Sequence, residues 1–325
     1  MNILENANIT SGTRVLVRLD LDVPFVNGVP TETYRLMAGL KTLNYILKKG
    51  GNLILMGHIG KPENNFDKTL STKQLIPFYN QHLKENSYQI LENLRFDSRE
   101  VENSLEFAQE LAKKADIYVN ESFATSHREH ASIVGITKFL KGYAGFNLVD
   151  EIENLKKLKH NFDRPFVVII GGAKLESKMP VINTFLKLAD NVLLGSKLGP
   201  EWLLQNNKSI KNLILPVDYA LDKKDIGKKT IKNYTNIISQ SKTVLWAGPM
   251  GVYEDENFIE GTKQIAKAIT NNPNIWSVIG GGDTISAVNK CGFNQGFDFV
   301  STGGGAMLEF LAHETLPGIE VLKQT

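Results

Sequence analysis

The chain has 325 residues, 42% hydrophobic and 22% charged, enough to bury two cores and unlike a disordered or fibrous polymer. Lys and Arg number 37 against 35 Asp and Glu, and residues 1–150 carry 17 of each sign with no basic arm, which argues against a dedicated nucleic-acid binder. A single cysteine, Cys291, leaves no internal disulfide and no cysteine-rich zinc site.

Short apolar runs alternate with amphipathic ones. Arg14–Asp20 reads as a strand, and Tyr34–Lys49 as a helix with Leu36, Leu40, Leu43 and Leu47 on one face. Asn52–Gly57, Tyr88–Leu91 and Asp116–Val119 read as strands, with a helix over Asn103–Lys114. Asn147–Asn161 is charged and helical in period, and Asp163-Arg164-Pro165 punctuates the approach to the next strand. Further strands are expected at Pro165–Ile170, Asn191–Leu194, Asn212–Leu215, Thr243–Trp246, Ile275–Ile279 and Phe297–Val300. Helices are expected at 178–188, 228–240, 256–270, 284–290 and 305–312. Strands that are apolar throughout and separated by helices mean parallel sheets covered on both faces. The fold class is therefore α/β, doubly wound. The expected division is 1–146, a linking helix over 147–162, and 163–325, with the last residues free to return to the first domain.

No apolar run approaches the roughly 18 residues needed to cross a bilayer. MNILENANITSG has neither a basic start nor an apolar centre, so a cytoplasmic setting without a membrane partner is expected.

In open α/β sheets ligands bind beyond the carboxyl ends of the strands, and the polar clusters fall there. Asp20-Leu21-Asp22 ends the first strand, and Gly57-His58-Ile59-Gly60-Lys61-Pro62 ends the second. Glu92–Phe96 carries Arg95, and Asn120–Arg128 carries His127 and Arg128. One such loop alone would read as a solvated turn. Four in succession, supplying His58, Lys61, Arg95, His127 and Arg128, point to one basic pocket for a small polyanion. Six of the seven arginines lie before residue 150, where a planar guanidinium grips carboxylate or phosphate in two places.

The second half carries Gly171-Gly172-Ala173-Lys174, Gly280-Gly281-Gly282-Asp283-Thr284 and Gly303-Gly304-Gly305, each after a strand and before a helix. Exposed amides and the helix dipole favour phosphate there, although a tight turn needing positive φ explains each cluster equally well. Lys174 and Lys178 are spaced to reach the same phosphates, and Asp283 suits Mg²⁺ held through nucleotide oxygens. G-x-x-x-x-G-K-[ST] is absent, as is a strand followed by G-x-G-x-x-G with an acidic partner. No Ser-His-Asp or Cys-His set stands out.

With these residues in view, the sequence resembles the phosphoglycerate kinase family from about Thr13 to Leu322. The stretches that carry the resemblance are VRLDLDVP (17–24), LMGHIGKP (55–62), LENLRF (91–96), VNESFATSHREHAS (119–132), GGAKLESK (171–178), LPVD (215–218), GPMGVYE (248–254), IGGGDT (279–284) and STGGGAMLEF (301–310). The resemblance implies two Rossmann-like domains joined by a helix, the first for 3-phosphoglycerate and the second for Mg-nucleotide. It implies phosphoryl transfer between 1,3-bisphosphoglycerate and ADP after hinge closure, by a monomer.

Carried over by motif, the acid site is Asp20, Leu21, Asp22, Arg35, His58, Ile59, Gly60, Lys61, Arg95 and Arg128. The nucleotide site is Lys174, Lys178, Glu254 on the ribose, and Gly281, Gly282, Asp283 and Thr284, with Asp283 towards Mg²⁺ of ATP or ADP. Arg35, Lys174, Gly281 and Gly304 are assigned to the charge of the transferring group. The chain departs from the family pattern at Asp22 for Asn, Lys61 for Arg, Ser177 for an acid, Ala247 for Asn, and Gly195-Ser196-Lys197 for three glycines. It is several dozen residues short, with the gaps expected between Trp202 and Leu213 and between Asp218 and Gly227. Two other readings stay open: a related kinase for another small anionic carboxylic acid, and a non-catalytic anion-binding homologue.

Overall fold

The computed structural model describes residues 1–62, 66–205, 210–293 and 295–324. The chain divides into two compact units, Met1–Glu153 with Thr315–Thr325, and Asn154–Glu314.

In chain order the first unit has β1 (Arg14–Arg18), β2 (Phe25–Val26), β3 (Val29–Pro30), α1 (Tyr34–Ala38), α2 (Leu40–Lys48) and β4 (Asn52–Met56). There follow α3 (Ile76–His82), β5 (Tyr88–Ile90), α4 (Leu105–Ala112), β6 (Ile117–Asn120) and β7 (Gly142–Ala144), and α5 (Phe146–His160) then runs into the second unit. Five of these strands form a parallel sheet in the order β5-β4-β1-β6-β7, while β2 and β3 make a separate hairpin. Val15, Leu16 and Val17 are fully buried because helices cover both faces of the sheet.

The second unit has β8 (Phe166–Ile170), α6 (Met179–Phe185), β9 (Asn191–Leu194), α7 (Leu198–Gln205), β10 (Leu213–Ile214) and α8 (Lys228–Ser239). It continues with β11 (Thr243–Ala247), α9 (Glu260–Thr270), β12 (Trp276–Gly280), α10 (Gly282–Lys290), β13 (Phe299–Ser301) and α11 (Gly304–His313). All six strands are parallel, ordered β10-β9-β8-β11-β12-β13. A last helix, α12 (Pro317–Gln324), belongs to the first unit, where the Gly318 amide donates to the Ser126 carbonyl at 2.8 Å. The α/β, parallel-sheet reading of the sequence is what the structure shows.

Several boundaries move for identifiable reasons. The expected helix over Tyr34–Lys49 is two helices with Gly39 between them, where an added Cβ would lie 2.8 Å from the Leu19 side chain. The helix expected from Asn103 begins at Leu105, because Asn103 is left-handed (φ 56°) and the Ser104 hydroxyl caps the Phe107 amide. The 256–270 helix is a short 3₁₀ turn followed by α9, broken at Ile259. The first of the expected gaps, between Trp202 and Leu213, includes 206–209, which lie outside the described residues. Among the described residues no helix is long and apolar enough to cross a membrane.

Candidate functional site

Register lines up the strand ends in each sheet. In the first unit Arg18 pairs with Met56 on one side and Asn120 on the other, and Asn120 pairs with Ala144. Asp20, His58 and Ser122 therefore each stand two residues beyond one row, around the point where strand order reverses about β1.

The loops after β1 and β4 are tied to each other. Asp22 Oδ1 accepts from the Gly60 amide at 2.8 Å, and Arg95 Nη1 donates to the Gly60 carbonyl at 2.8 Å. Gly60 is left-handed (φ 63°), and a Cβ there would meet Leu70 at 2.9 Å. Arg35 Nη1 donates to the Asp22 carbonyl at 3.0 Å, and Arg35 Nε lies 3.5 Å from Asp20 Oδ2. Asp20 is buried; burial raises its carboxyl above the usual range while Arg35 pulls it back. Lys61 and Arg128 are exposed beside this group. Leu21 and Ile59 are buried apolar residues and offer only their backbone. The Ile59 carbonyl is already taken by Asn93 Nδ2 at 2.7 Å.

His58 is buried and lies 3.0 Å, through Nδ1, from Nη2 of Arg18, with Nε2 3.7 Å from Asp22 Oδ2. Burial first, and then Arg18, Arg95, His130 and Arg35, hold its pKa well below that of free histidine. His127 is pushed down to about 4 by burial and by Arg128. Burial and the neighbouring cations thus both disfavour a positive charge on these two rings.

Three contributors escaped the sequence reading. Arg18 is fully buried, with Nε donating to Ser132 Oγ at 3.0 Å and Nη1 to the Leu19 carbonyl at 2.6 Å. Glu100, also fully buried, accepts from the Ser132 hydroxyl at 2.6 Å and amide at 3.0 Å. Asn93 bridges the Ile59 and Leu70 carbonyls and accepts from the Arg95 amide. An arginine inside an apolar strand, RVLVR, was the one available signal.

In the second unit Leu194, Ile170, Ala247, Gly280 and Ser301 form one row across five strands, so five loops start level. Their backbones touch. A Cβ on Gly171 would lie 2.0 Å from the Pro249 carbonyl oxygen, and one on Gly248 2.3 Å from the Gly171 carbonyl oxygen. Thr284, expected to face nucleotide, is buried instead: its hydroxyl accepts from the Gly248 amide at 2.7 Å and donates to the Gly280 carbonyl at 2.8 Å. It bolts two turns together.

Beside these turns is a cavity of about 540 Å³ lined by Gly172, Ser196, Lys197, Leu204, Val252, Glu254 and Asp283, among others. Lys290 Nζ donates to the Tyr253 and Glu254 carbonyls at 3.1 and 2.8 Å, which fixes one wall. Burial lowers the Lys178 pKa, partly offset by the Asp283 carboxylate. Lys174 and Asp283 are exposed, and Gly281 (φ 101°) leads into α10.

The protein-family model for phosphoglycerate kinase matches residues 4–87, 75–222 and 201–314. The phosphoglycerate kinase of Leptospira biflexa serovar Patoc is 37% identical over 388 residues, covering 98% of each chain. The chain belongs to the phosphoglycerate kinase family. A second relative of that name, from Dictyoglomus turgidum, is 35% identical over 379 residues and covers 96% of each chain. Solved phosphoglycerate kinases from Coxiella burnetii and Pyrococcus horikoshii OT3 superpose with a TM-score of 0.84 each, at 29% and 30% identity, covering 99% of this chain and 98% of theirs.

These alignments are longer than the 325 residues available, so the phosphoglycerate kinases it resembles carry internal segments that this chain lacks. The family-model segments overlap at 75–87 and 201–222. The second overlap includes the cavity residues Leu204 and Asp222.

Proposed function

We propose that the chain catalyses reversible phosphoryl transfer between 1,3-bisphosphoglycerate and ADP, giving 3-phosphoglycerate and ATP. The observation that carries the reading is a basin of cations at the strand ends of the first unit. Arg18, Arg95 and Arg35 lie around His58, whose pKa burial and these cations hold well below that of free histidine; Lys61 and Arg128 are exposed on the same loops, and His127 is pushed down to about 4. An acceptor carboxylate is already ionised at neutral pH, so the protein has no proton to remove and only charge and alignment to supply. In the direction of ATP use, a carboxylate oxygen bonds to the terminal phosphorus as the bond to the bridging oxygen of the leaving ADP breaks.

In this reading the first unit holds the acid and the second the nucleotide. Asp20, Asp22, His58, the Gly60 loop and Arg95 orient the acid, and Arg35 meets the charge on the transferring group. Lys174, Lys178 and the amides around Gly281 and Gly304 take the nucleotide phosphates, with Glu254 at the ribose. Among the described residues no cluster of three or more acidic, His or Cys side chains could hold a metal by itself. A single exposed carboxylate, Asp283, at the phosphate turn fits Mg²⁺ bound chiefly by nucleotide oxygens. When bound there, the ion would neutralise phosphate charge. The reading includes a cytoplasmic monomer that acts on small molecules and has no nucleic-acid partner.

Membership of the family along the whole chain favours this reading over a related kinase for another acid or a non-catalytic binder. A coupled assay with 3-phosphoglycerate and ATP, run beside calorimetric titration of each ligand, separates them. Turnover on 3-phosphoglycerate is expected. Binding of both ligands without turnover would assign another acid, and no nucleotide binding would leave only an anion binder.

A further inference from the structure

A buried polar chain runs beneath the acid basin to His58. It starts at Glu100, whose Oε1 accepts from the Ser132 hydroxyl at 2.6 Å and whose Oε2 accepts from the Ser132 amide at 3.0 Å. Glu100 Oε1 also lies 3.7 Å from Nδ1 of His130. Ser132 Oγ, its proton given to Glu100, can only accept from Arg18, and Arg18 Nε donates to it at 3.0 Å. Arg18 Nη1 donates to the Leu19 carbonyl at 2.6 Å, so the guanidinium is held from two sides. Its remaining arm, Nη2, lies 3.0 Å from His58 Nδ1.

A guanidinium has five N–H donors and no acceptor. His58 Nδ1 must therefore be the acceptor of that contact. The ring is left with its proton on Nε2, on the side of Asp22, whose Oδ2 is 3.7 Å away. A doubly protonated ring would set N–H against N–H beside a fixed cation, among Arg95, Arg35 and His130, with Asp22 the acid that contacts it.

We infer that Glu100 and Ser132 are positioning residues for the acid site: acting through Arg18, they hold His58 as a neutral Nε2–H donor aimed at the substrate anion. A neutral donor gives the anion a directed hydrogen bond, and because it carries no charge that bond does not switch with pH in the range where histidine ordinarily titrates. The device is the analogue of the outer partners that fix ring orientation at metal-bound histidines. Glu100 and Ser132 never touch the ligand. The tautomer itself is a property of the free chain; its use in substrate binding rests on the function proposed above.

The test is long-range ¹H–¹⁵N correlation on the ¹⁵N-labelled, ligand-free chain, followed from about pH 5 to pH 8. His58→Gln supplies the assignment. The expected result is a neutral His58 ring protonated at Nε2 throughout. In Ser132→Ala, which removes the hydroxyl bridge, the ring should show Nδ1–H character. KM for 3-phosphoglycerate should rise roughly tenfold, the size of one lost hydrogen bond to a charged group, while kcat changes little and nucleotide KM stays put. Ser132→Thr, which returns the hydroxyl, should restore both readouts.

Nδ1 protonation or a charged ring in the unaltered chain would overturn the inference outright, whatever the variants do. An unchanged tautomer in a folded Ser132→Ala chain would overturn the role of Ser132 and Glu100, and an altered tautomer with unchanged KM would overturn its use in binding. Absence of turnover on 3-phosphoglycerate with the Nε2–H ring in place would count against the proposed substrate and leave the tautomer standing.

Discussion

The backbones of Gly281 and Gly304 are packed so closely that a Cβ on Gly304 would lie 2.4 Å from the Gly281 Cα and 3.1 Å from its amide nitrogen. The two glycines head neighbouring helices, α10 and α11, and Gly281 itself is left-handed (φ 101°). Neither neighbour can yield, since both clashing atoms are backbone. Gly304→Ala should therefore push the Gly281 turn out of place and weaken ADP and ATP binding by at least about tenfold, roughly 1.4 kcal/mol, with 3-phosphoglycerate binding intact. Titration of each ligand against the variant checks this.

Arg35→Ala removes the cation that lies 3.5 Å from Asp20 Oδ2 and donates to the Asp22 carbonyl. If it meets the charge on the transferring group, turnover should fall by roughly 10²–10³, as for loss of one such donor elsewhere. Nucleotide affinity should barely move. Steady-state kinetics beside calorimetry decide the matter, and near-normal turnover would remove Arg35 from the reaction.

Asp22→Asn keeps an oxygen for the Gly60 amide and removes a half-exposed negative charge beside the acid site. Relief of like-charge repulsion across partly solvated space is worth about 1 kcal/mol, so KM for 3-phosphoglycerate should fall roughly fivefold. A higher KM in the variant would mean that Asp22 accepts a hydrogen bond from the substrate.

Glu121 is buried against the start of α5, where its Oε1 accepts from the Asn147 amide at 3.1 Å. Burial outweighs the bonds to Thr42 and the helix amides and pushes the carboxyl from 4.5 up to about 8. The folded chain thus holds a proton that the unfolded chain has released between those two values. Its contribution to stability is present below the lower pKa and is lost as pH rises through the upper one, at about 1.4 kcal/mol per pH unit. Glu121→Gln should flatten that slope and be the more stable form above about pH 8. Denaturant unfolding of both chains across this pH range is the measurement, and parallel slopes would show that Glu121 is already ionised in the folded state.

The sequence by itself determined most of the strands, that the sheets are parallel, and where the ligand-facing loops begin, but not the β2–β3 hairpin or the short edge strand β7. A short, β-branched apolar run such as PFVVII between Pro and Gly-Gly reads as a strand covered on both faces, and a turn such as Gly280-Gly281-Gly282-Asp283 marks the step from strand to helix. Those are local properties, set by the side chains within a few positions of one another. Only the tertiary structure decided what the loops do to each other. Ser132 reaches Arg18 across 114 positions and Glu100 across 32 because β6 is laid beside β1. Thr284 turns inward because the end of β11 lies beside that of β12, which brings the Gly248 amide within 2.7 Å of its hydroxyl. Strand order converts distant positions into neighbours, and a periodicity read along the chain contains no information about that order.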